Sequence, residues 1–229
     1  MGWLKKIRHR PPHLKRVISD GLQWSLTYQR SELWRDNTWL GVPFWQHPHD
    51  VLVLQSLLHE TKPDYVIETG VAHGGSAIFY ASMLQLLGGK GVISIDINIP
   101  EETVRRVREH PLGKQVTLIE GDSVSESVFR KIDAIVGEQS NAMVCLDSDH
   151  GTDHVFAELG AYAKYVPQHG YMIALDTICQ WLPRWKSDNP LIAVERFLAV
   201  QKDFVRAPRC DTLYSSFMPS GILIRESAR

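Results

Sequence analysis

The sequence of 229 residues has few cysteines, no long apolar run and almost no net charge. Its three cysteines, Cys145, Cys179 and Cys210, lie far apart, which fits neither a zinc motif nor a disulfide framework and favours a reducing compartment. No apolar run is long enough to span a bilayer, and the start MGWLKKIRHRPP lacks the apolar core of a signal peptide. A net charge of −1 favours neither nucleic acid nor an acidic membrane as partner. We therefore expect a cytoplasmic protein without membrane insertion or a nucleic-acid partner.

The chain also lacks the two common glycine signatures of phosphate binding. Residues 68–76 read ETGVAHGGS, with glycines at positions 70, 74 and 75. This spacing differs from the G-x-G-x-x-G of dinucleotide sites, and no Lys-Ser or Lys-Thr follows, as it would in a P-loop. A phosphate-cradling role is therefore disfavoured for this loop.

From residue 49 onwards, apolar runs of strand length alternate with stretches of helical spacing. Strands are predicted at 64–68, 91–96, 115–122, 141–147 and 170–176, and helices at 49–60, 76–87, 100–110, 123–137, 152–166 and 190–200. Because such alternation requires a parallel sheet covered on both faces, we expect an α/β fold with a doubly wound, mostly parallel sheet. Short runs at 203–207 and 221–226, with no helix between them, predict an antiparallel hairpin at one edge.

The first part of the chain differs in composition from the rest. We predict an N-terminal extension over residues 1–40 and one α/β domain over residues 41–229. The extension begins with cations and no acid, which is typical of a solvated arm or of a contact with an anionic surface or a neighbouring subunit. These cations are Lys5, Lys6, Arg8, Arg10, Lys15 and Arg16. Five early tryptophans, which favour packing on the domain or on another subunit of a homo-oligomer, are Trp3, Trp24, Trp34, Trp39 and Trp45.

Each of the five predicted parallel strands ends in an acidic residue. These acids are Glu68, Asp96, Asp122, Asp147 and Asp176. Each could cap a helix or complete a turn, but Ser, Thr and Asn serve equally well there. Ligands of open parallel sheets bind outside the carboxyl ends of the strands, so the acids would face one crevice. Beside the glycine loop they indicate a cationic or neutral ligand rich in hydroxyls, with Asp96 placed to hold a ribose.

The ordered motifs along the chain carry a specific resemblance. They are WLGVPFWQHPHD, KPDYVIETGVAHGGSAIFYA, VISIDI, LDSDH, YMIALDT and NPLIAVERFL with FMPSGIL, between about residues 39 and 225. Together they resemble the cephalosporin hydroxylase / rhamnosyl O-methyltransferase family of class I S-adenosylmethionine-dependent methyltransferases. The resemblance implies methyl transfer from S-adenosylmethionine to a hydroxyl of a sugar or natural-product intermediate. It also implies a divalent metal, usually Mg²⁺, beside the reactive methyl group.

The resemblance further implies roles for single residues. The methionine side of the cofactor would lie along the glycine loop, the ribose on Asp96 and the adenine near the third strand end. The cofactor-binding residues are then Glu68, Gly70, His73, Gly74, Ser76, Asp96, Asp122 and Ser123. His73 could instead contact the substrate or cap a turn.

The implied metal residues are Asp147, Asp176 and Thr177. Mg²⁺ is usually held by one or two carboxylates with water and substrate, and Asp147 and Asp176 on neighbouring strands could supply both. With Asp147, His150 is a candidate catalytic residue, as a general base. Asp153 and His154 are interpreted as residues in the first turn of a helix, where the helix dipole favours an aspartate.

Two other functions stay open from the sequence. One is an oxygenase or its accessory protein, although no two-His-one-carboxylate iron pattern is recognisable. The other is a module that binds S-adenosylmethionine without turnover, because Leu175 stands where the resembled family often has a glutamate. Trp181 and Trp185, which follow Asp176, are candidates for the wall of an acceptor pocket or for simple core packing.

Overall fold

The computed structural model describes residues 14–137, 141–207 and 215–226, with side chains from residue 19 onwards. The predicted basic arm, Trp3 and Cys210 therefore lie outside the described residues or side chains. The helices are α1 (Leu14–Ser31), α2 (Pro48–Thr61), α3 (Gly75–Leu87), α4 (Glu101–Glu109), α5 (Glu126–Val136), α6 (Thr152–Tyr162) and α7 (Pro190–Val200). The strands are β1 (Thr38–Trp39), β2 (Val42–Pro43), β3 (Tyr65–Thr69), β4 (Gly91–Asp96), β5 (Val116–Glu120), β6 (Ala142–Leu146), β7 (Tyr171–Ala174), β8 (Phe204–Arg206) and β9 (Ile222–Arg225).

Seven of these strands form one sheet in the order β5-β4-β3-β6-β7-β9-β8. The strands β3 to β7 are mutually parallel, and β9 runs antiparallel to both β7 and β8. The predicted doubly wound sheet and the antiparallel hairpin at its edge are therefore confirmed. The chain moves from β3 towards β5 and then returns to β6 on the other side of β3, so the strand order reverses between β3 and β6. Such a reversal opens a crevice at the carboxyl ends of the strands.

Apolar clusters cover the sheet on both faces. Ile67 and Val144 pack with α5, α6 and α7, whereas their neighbours Val66 and Met143 pack with α2 and α3. Because successive side chains of a strand point to opposite faces, burial on both faces explains the unbroken apolar sequence of these strands.

The ends of some elements differ from the prediction. The third and fifth parallel strands stop at Glu120 and Ala174, so Asp122 and Asp176 lie just beyond them, in loops. Helix α5 begins at residue 126 because the Ser125 hydroxyl accepts a hydrogen bond from the backbone N–H of Val128. These shifts place the acids in the connections above the sheet edge.

The sequence analysis did not predict helix α1. The side chain of Leu26, on this helix, is buried against Ile178 and Phe217, so the helix packs onto the main domain. After it, Trp39 in the short β1–β2 ribbon donates a hydrogen bond from Nε1 to Ser82 Oγ at 3.1 Å. The proposed division at residue 40 stays a prediction. Among the described helices, none is long and apolar enough to cross a bilayer.

Candidate functional site

A cavity of about 700 Å³ opens at the carboxyl ends of the parallel strands. Asp96, Asp122, Asp147 and Asp176 line it on the side of the strand ends. The cavity is also lined by residues 43–46 and Trp34, which lie in the N-terminal part of the chain. The volume and position match those of small-molecule sites in open α/β sheets.

Glu68, the remaining one of the five predicted acids, lies beneath this cavity. It is 2% exposed, and its Oε1 accepts a hydrogen bond from Ser94 Oγ at 2.6 Å. Burial raises the pKa of Glu68 to about 7, against the effect of hydrogen bonds from Ser94 and Ser76. The structure therefore links Glu68 to the base of the glycine loop through Ser76, which itself lines the cavity. It does not bring the Glu68 carboxyl group to the cavity surface.

The glycine loop passes very close to its neighbours in the fold. Gly70 has φ +87°, and a Cβ there would lie 2.0 Å from the backbone oxygen of Asp147. Gly74 has φ +86°, and a Cβ there would lie 2.5 Å from Cγ2 of Val107. Only glycine adopts this backbone conformation without strain, and here it also provides the space. Close approach of the chain to itself thus explains both glycines, while the loop between them borders the cavity.

Asp96 holds the glycine loop from the second strand end. Its Oδ2 accepts hydrogen bonds from the backbone N–H groups of Val71 at 2.8 Å and Ala72 at 3.4 Å. The same carboxylate accepts from the N–H of Asn98 through Oδ1 at 3.3 Å. Asp96 is therefore a fixed anionic group that both shapes the loop and borders the cavity.

Asp122 and Ser123 border the cavity at the third strand end. Asp122 Oδ1 accepts a hydrogen bond from the N–H of Val124 at 3.1 Å, and Ser123 Oγ lies 3.1 Å from Nε2 of His154. His154 is a residue of the first turn of α6, as predicted, but it also lines the cavity, which the sequence analysis did not foresee. Asp153 points away and pairs with Arg196 at 2.8 Å.

His150 lies between the acids of β6 and β7. Its Nε2 is 3.6 Å from Asp147 Oδ1 and 3.4 Å from Asp176 Oδ2. Burial opposes the imidazolium form, but the contacts with Asp147 and Cys179 and the charge of Asp176 outweigh it and raise the pKa of His150. Burial and the charge of Asp176 also raise the pKa of Asp147, to about 6.

Thr177, the third predicted metal residue, lies below this group. It is fully buried, and its hydroxyl donates a hydrogen bond to the carbonyl of Pro219 at 2.7 Å. Cys179, two residues further on, comes closer to the acids. Its Sγ, a ring nitrogen of His150 and a carboxylate oxygen of Asp176 all lie within 4.8 Å of one another.

An aromatic wall, defined as Trp34, Phe44 and Trp45, also borders the cavity. The Trp45 ring meets the ring of His73 edge to face at 4.3 Å, and Trp34 meets Trp45 in the same way at 5.5 Å. The guanidinium of Arg35 lies 5.1 Å and 5.2 Å from the centres of the two tryptophan rings. His73, whose role was left open, thus packs against this wall and borders the cavity.

The aromatic wall was not predicted from the sequence, although WLGVPFWQHPHD contains two of its three residues. Trp181 and Trp185, which were candidates for that role, are not among the described residues that line the cavity. The Trp185 ring instead packs 5.8 Å from the ring of His150.

A buried polar network supports the aromatic wall from behind. His47 Nε2 lies 3.1 Å from Ser215 Oγ, which lies 3.0 Å from Ser25 Oγ on α1. Asp50 Oδ2 accepts a hydrogen bond from the N–H of Phe217 at 2.8 Å. The Phe217 ring meets the Trp34 ring at 6.2 Å, so the network connects α1, the start of α2 and residues 215–217 to the wall.

Comparisons with known proteins agree with this architecture. A model of the rhamnosyl O-methyltransferase/CmcI family matches residues 31–226. The rhamnosyl O-methyltransferase of Mycobacterium tuberculosis is 28% identical over 152 residues, which are 66% of this chain and 60% of the relative. The chain thus spans less than two thirds of that relative's length. That of Mycobacterium leprae is 27% identical over 177 residues, 74% of each chain.

Among solved structures, CmcI described as a Mg-SAM form superposes with a TM-score of 0.60 at 20% identity, over 84% of this chain and 78% of that chain. At this identity the match establishes a shared fold. The family match covers most of the chain, from the end of α1 to the last strand of the sheet. The chain therefore belongs to the rhamnosyl O-methyltransferase/CmcI family.

Proposed function

We propose that the chain is an S-adenosylmethionine-dependent O-methyltransferase that acts with a divalent metal on a hydroxyl of a sugar or natural-product intermediate. The observation that carries this proposal is the shared cavity, which brings the glycine loop and Asp96 together with Asp147 and Asp176. The relatives named rhamnosyl O-methyltransferase support methyl transfer to a sugar. The CmcI structure described with Mg and SAM supports both predicted cofactors, S-adenosylmethionine and Mg²⁺.

The residues around the first three strand ends fit S-adenosylmethionine. Asp96 would hold the ribose hydroxyls, since its carboxylate borders the cavity and is fixed by the N–H groups of the loop. Asp122 and Ser123 would lie beside the adenine, and the loop from Gly70 to Ser76 along the methionine part. When bound, the cofactor supplies an electrophilic methyl group on a positively charged sulfur. The acidic strand ends suit that charge better than they suit a phosphate.

The acceptor hydroxyl would enter between the aromatic wall and Asp147. Its proton needs a receiving group, and the pKa of Asp147, raised by burial and Asp176 to about 6, is close to the pH at which such a base works. The Asp147 carboxylate is therefore our candidate for the proton acceptor, since His150 contacts both Asp147 and Asp176. His150 would then orient Asp147 and Asp176. Holding the acceptor oxygen in line with the methyl group contributes most, since orientation can lower a barrier by roughly 7–11 kcal/mol.

The test combines calorimetry with a methyl-transfer assay. S-adenosylmethionine is titrated into the protein, and transfer of a labelled methyl group to a panel of rhamnosyl and other sugar acceptors is measured with and without EDTA. We expect cofactor binding and transfer that EDTA abolishes. Failure to bind the cofactor would exclude both a methyltransferase and a binding module. Binding of the cofactor without methyl transfer to any acceptor at saturating metal would favour the binding module. Light scattering measures the molar mass in parallel and tests the predicted homo-oligomer.

A further inference from the structure

The metal side of the cavity has an unusual set of donor atoms. Leu175, the residue before Asp176, is 4% exposed and packs in the apolar cluster that includes α2 and α3. Its backbone N–H donates to the carbonyl of Leu146, so the position is part of the sheet connection. No oxygen ligand comes from this position. Among the residues that the structure describes, the nearby donors besides the two aspartates are the ring nitrogen of His150 and the sulfur of Cys179.

Local structure brings these donors together. Asp147 and His150 are three residues apart in the loop after β6, and Asp176 and Cys179 are three residues apart after β7. Asp176 has φ 49° and begins a short 3₁₀ helix, Thr177–Trp181, that turns the chain back over the strand end. In this turn the N–H of Cys179 bonds to the carbonyl of Asp176 at 3.0 Å, which places the thiol below His150. The spacing of the cysteines in the sequence did not predict this arrangement, because the donors beside Cys179 are His150 and Asp176 and not other cysteines.

The distances around His150 discriminate between kinds of metal. Its separations of 3.4 Å and 3.6 Å from the two carboxylates exceed the normal range for a hydrogen bond. Neighbouring ligands around octahedral Mg²⁺ lie about 2.9 Å apart, given metal–oxygen bonds of about 2.0–2.1 Å. Neighbouring ligands around tetrahedral Zn²⁺ lie about 3.3–3.8 Å apart, given bonds of about 2.0–2.3 Å. The separation of 3.4 Å between His150 and Asp176 matches the tetrahedral spacing, and the sulfur of Cys179 lies within 4.8 Å of both ligand atoms.

We propose that His150, Asp176 and Cys179 bind a borderline divalent cation such as Zn²⁺ or Co²⁺ more tightly than Mg²⁺. Nitrogen and sulfur donors favour such ions, whereas Mg²⁺ prefers oxygen ligands. Three protein ligands leave the cavity side of the ion open, as in catalytic zinc sites, and Asp147 adjoins that open side. The catalytic meaning of the site rests on the function proposed above, but the binding of the ion does not.

The test uses Co²⁺ as a spectroscopic probe on the full chain after removal of metal. We expect one Co²⁺ per chain, with visible bands of four-coordinate intensity and a near-ultraviolet band from thiolate-to-cobalt charge transfer. Zn²⁺ should displace Co²⁺, and a hundredfold excess of Mg²⁺ should not. Cys179→Ser should remove the charge-transfer band and weaken Co²⁺ binding by about tenfold or more. Cys145→Ser, which changes a buried cysteine on β6, is the matched control and should keep both.

Several results would overturn the inference. A charge-transfer band that persists in Cys179→Ser, or displacement of Co²⁺ by equimolar Mg²⁺, would exclude the ligand set. Should Cys179→Ser not fold, Asp176→Asn provides a second test and should reduce Co²⁺ affinity to a similar degree. S-adenosylmethionine is titrated separately into the metal-free protein. Cofactor binding without Co²⁺ binding would overturn this inference alone, and Co²⁺ binding without cofactor binding would overturn the proposed methyltransferase alone.

Discussion

The two sides of the cavity are held in place in different ways. Asp96 ends β4, and Asp147 and Asp176 follow β6 and β7, so the register of these parallel strands fixes where each acid lies. The aromatic wall comes from residues 34–45, where the regular structure is one turn of 3₁₀ helix, Leu33–Asp36, and a ribbon of two-residue strands. Its rings are held by one another, by Arg35 and by the polar network that reaches residues 215–217. A substitution on the acidic side should thus act locally on ligands, whereas the aromatic side depends on contacts between distant segments.

The largest effect is expected on the acidic side, from Asp147→Asn. If this carboxylate receives the acceptor proton, methyl transfer should fall by at least about 10²-fold. Affinity for S-adenosylmethionine should stay within a few fold, because we propose that Asp147 contacts the acceptor and not the cofactor. Labelled methyl transfer and calorimetry measure the two quantities. A large loss of cofactor affinity would instead assign Asp147 to the cofactor half of the cavity.

Asp96→Asn should show the opposite pattern. The amide keeps an acceptor for the N–H of Val71 but loses the charge that would hold the ribose. Hydrogen bonds to charged groups contribute about 1.5–3 kcal/mol, so cofactor affinity should fall by about 10–100-fold. Asp64→Asn is the matched control at the amino end of β3, where Asp64 pairs with Lys90, and its affinity should not change. Equal effects of the two substitutions would show that charge, and not the ribose contact, is being measured.

The sequence predicted the acidic side well because its signals are local. An apolar run that ends in an acid predicts both a buried strand and a carboxylate at its carboxyl end, and Asp96 and Asp147 lie where that pattern puts them. The sequence pattern did not distinguish Glu68 from the other four acids. A strand end that shifts by one residue decides whether the acid ends the strand or, like Glu68, lies within it. The hydrogen bond of the Thr177 hydroxyl was not predicted for a related reason, since its partner, the carbonyl of Pro219, is distant in sequence.

The aromatic side was beyond this kind of reasoning. Trp34 reaches the cavity because α1 packs on Phe217. The spacing of apolar residues in the sequence does not predict that contact. The motif WLGVPFWQHPHD was noted for its family resemblance, yet its spacing does not tell whether Trp39 or Trp45 faces a ligand. Trp39 is turned to the core by its bond to Ser82, and Trp45 lines the cavity. Contacts between segments decide such outcomes.

Trp45→Ala tests the aromatic side directly. If a sugar ring stacks on this side chain, its removal should weaken acceptor binding by about 0.5–1.5 kcal/mol. KM for the acceptor should then rise by about 2–10-fold, while cofactor affinity stays the same. Trp24→Ala is the matched control, since Trp24 is 50% exposed and stacks on Tyr28 away from the cavity. A greater loss for the cofactor than for the acceptor would assign the wall to the adenosine instead.

The smallest expected effect concerns the network behind the wall. Burial raises the pKa of Asp50 to about 7, so the folded state holds its proton where the unfolded state has lost it. The stability that this proton contributes is lost as the pH rises through about 7. Burial lowers the pKa of His47 to about 4, which adds stability as the pH rises towards 6.5 and opposes Asp50 below that value. Between about pH 6.5 and 8, Asp50 should therefore reduce the free energy of unfolding by up to about 1 kcal/mol.

Urea denaturation of the metal-free protein at several pH values measures this slope, and Asp50→Asn should make it shallower. Glu68, whose pKa burial also raises to about 7, contributes the same slope to both proteins and cancels in the comparison. Asp64→Asn, at an exposed ion pair, should leave the slope as it is. An unchanged slope in Asp50→Asn would mean that the carboxyl is ionised in the folded protein. The network would then hold the wall through a buried charge, and the aromatic side would depend on electrostatics as much as the acidic side does.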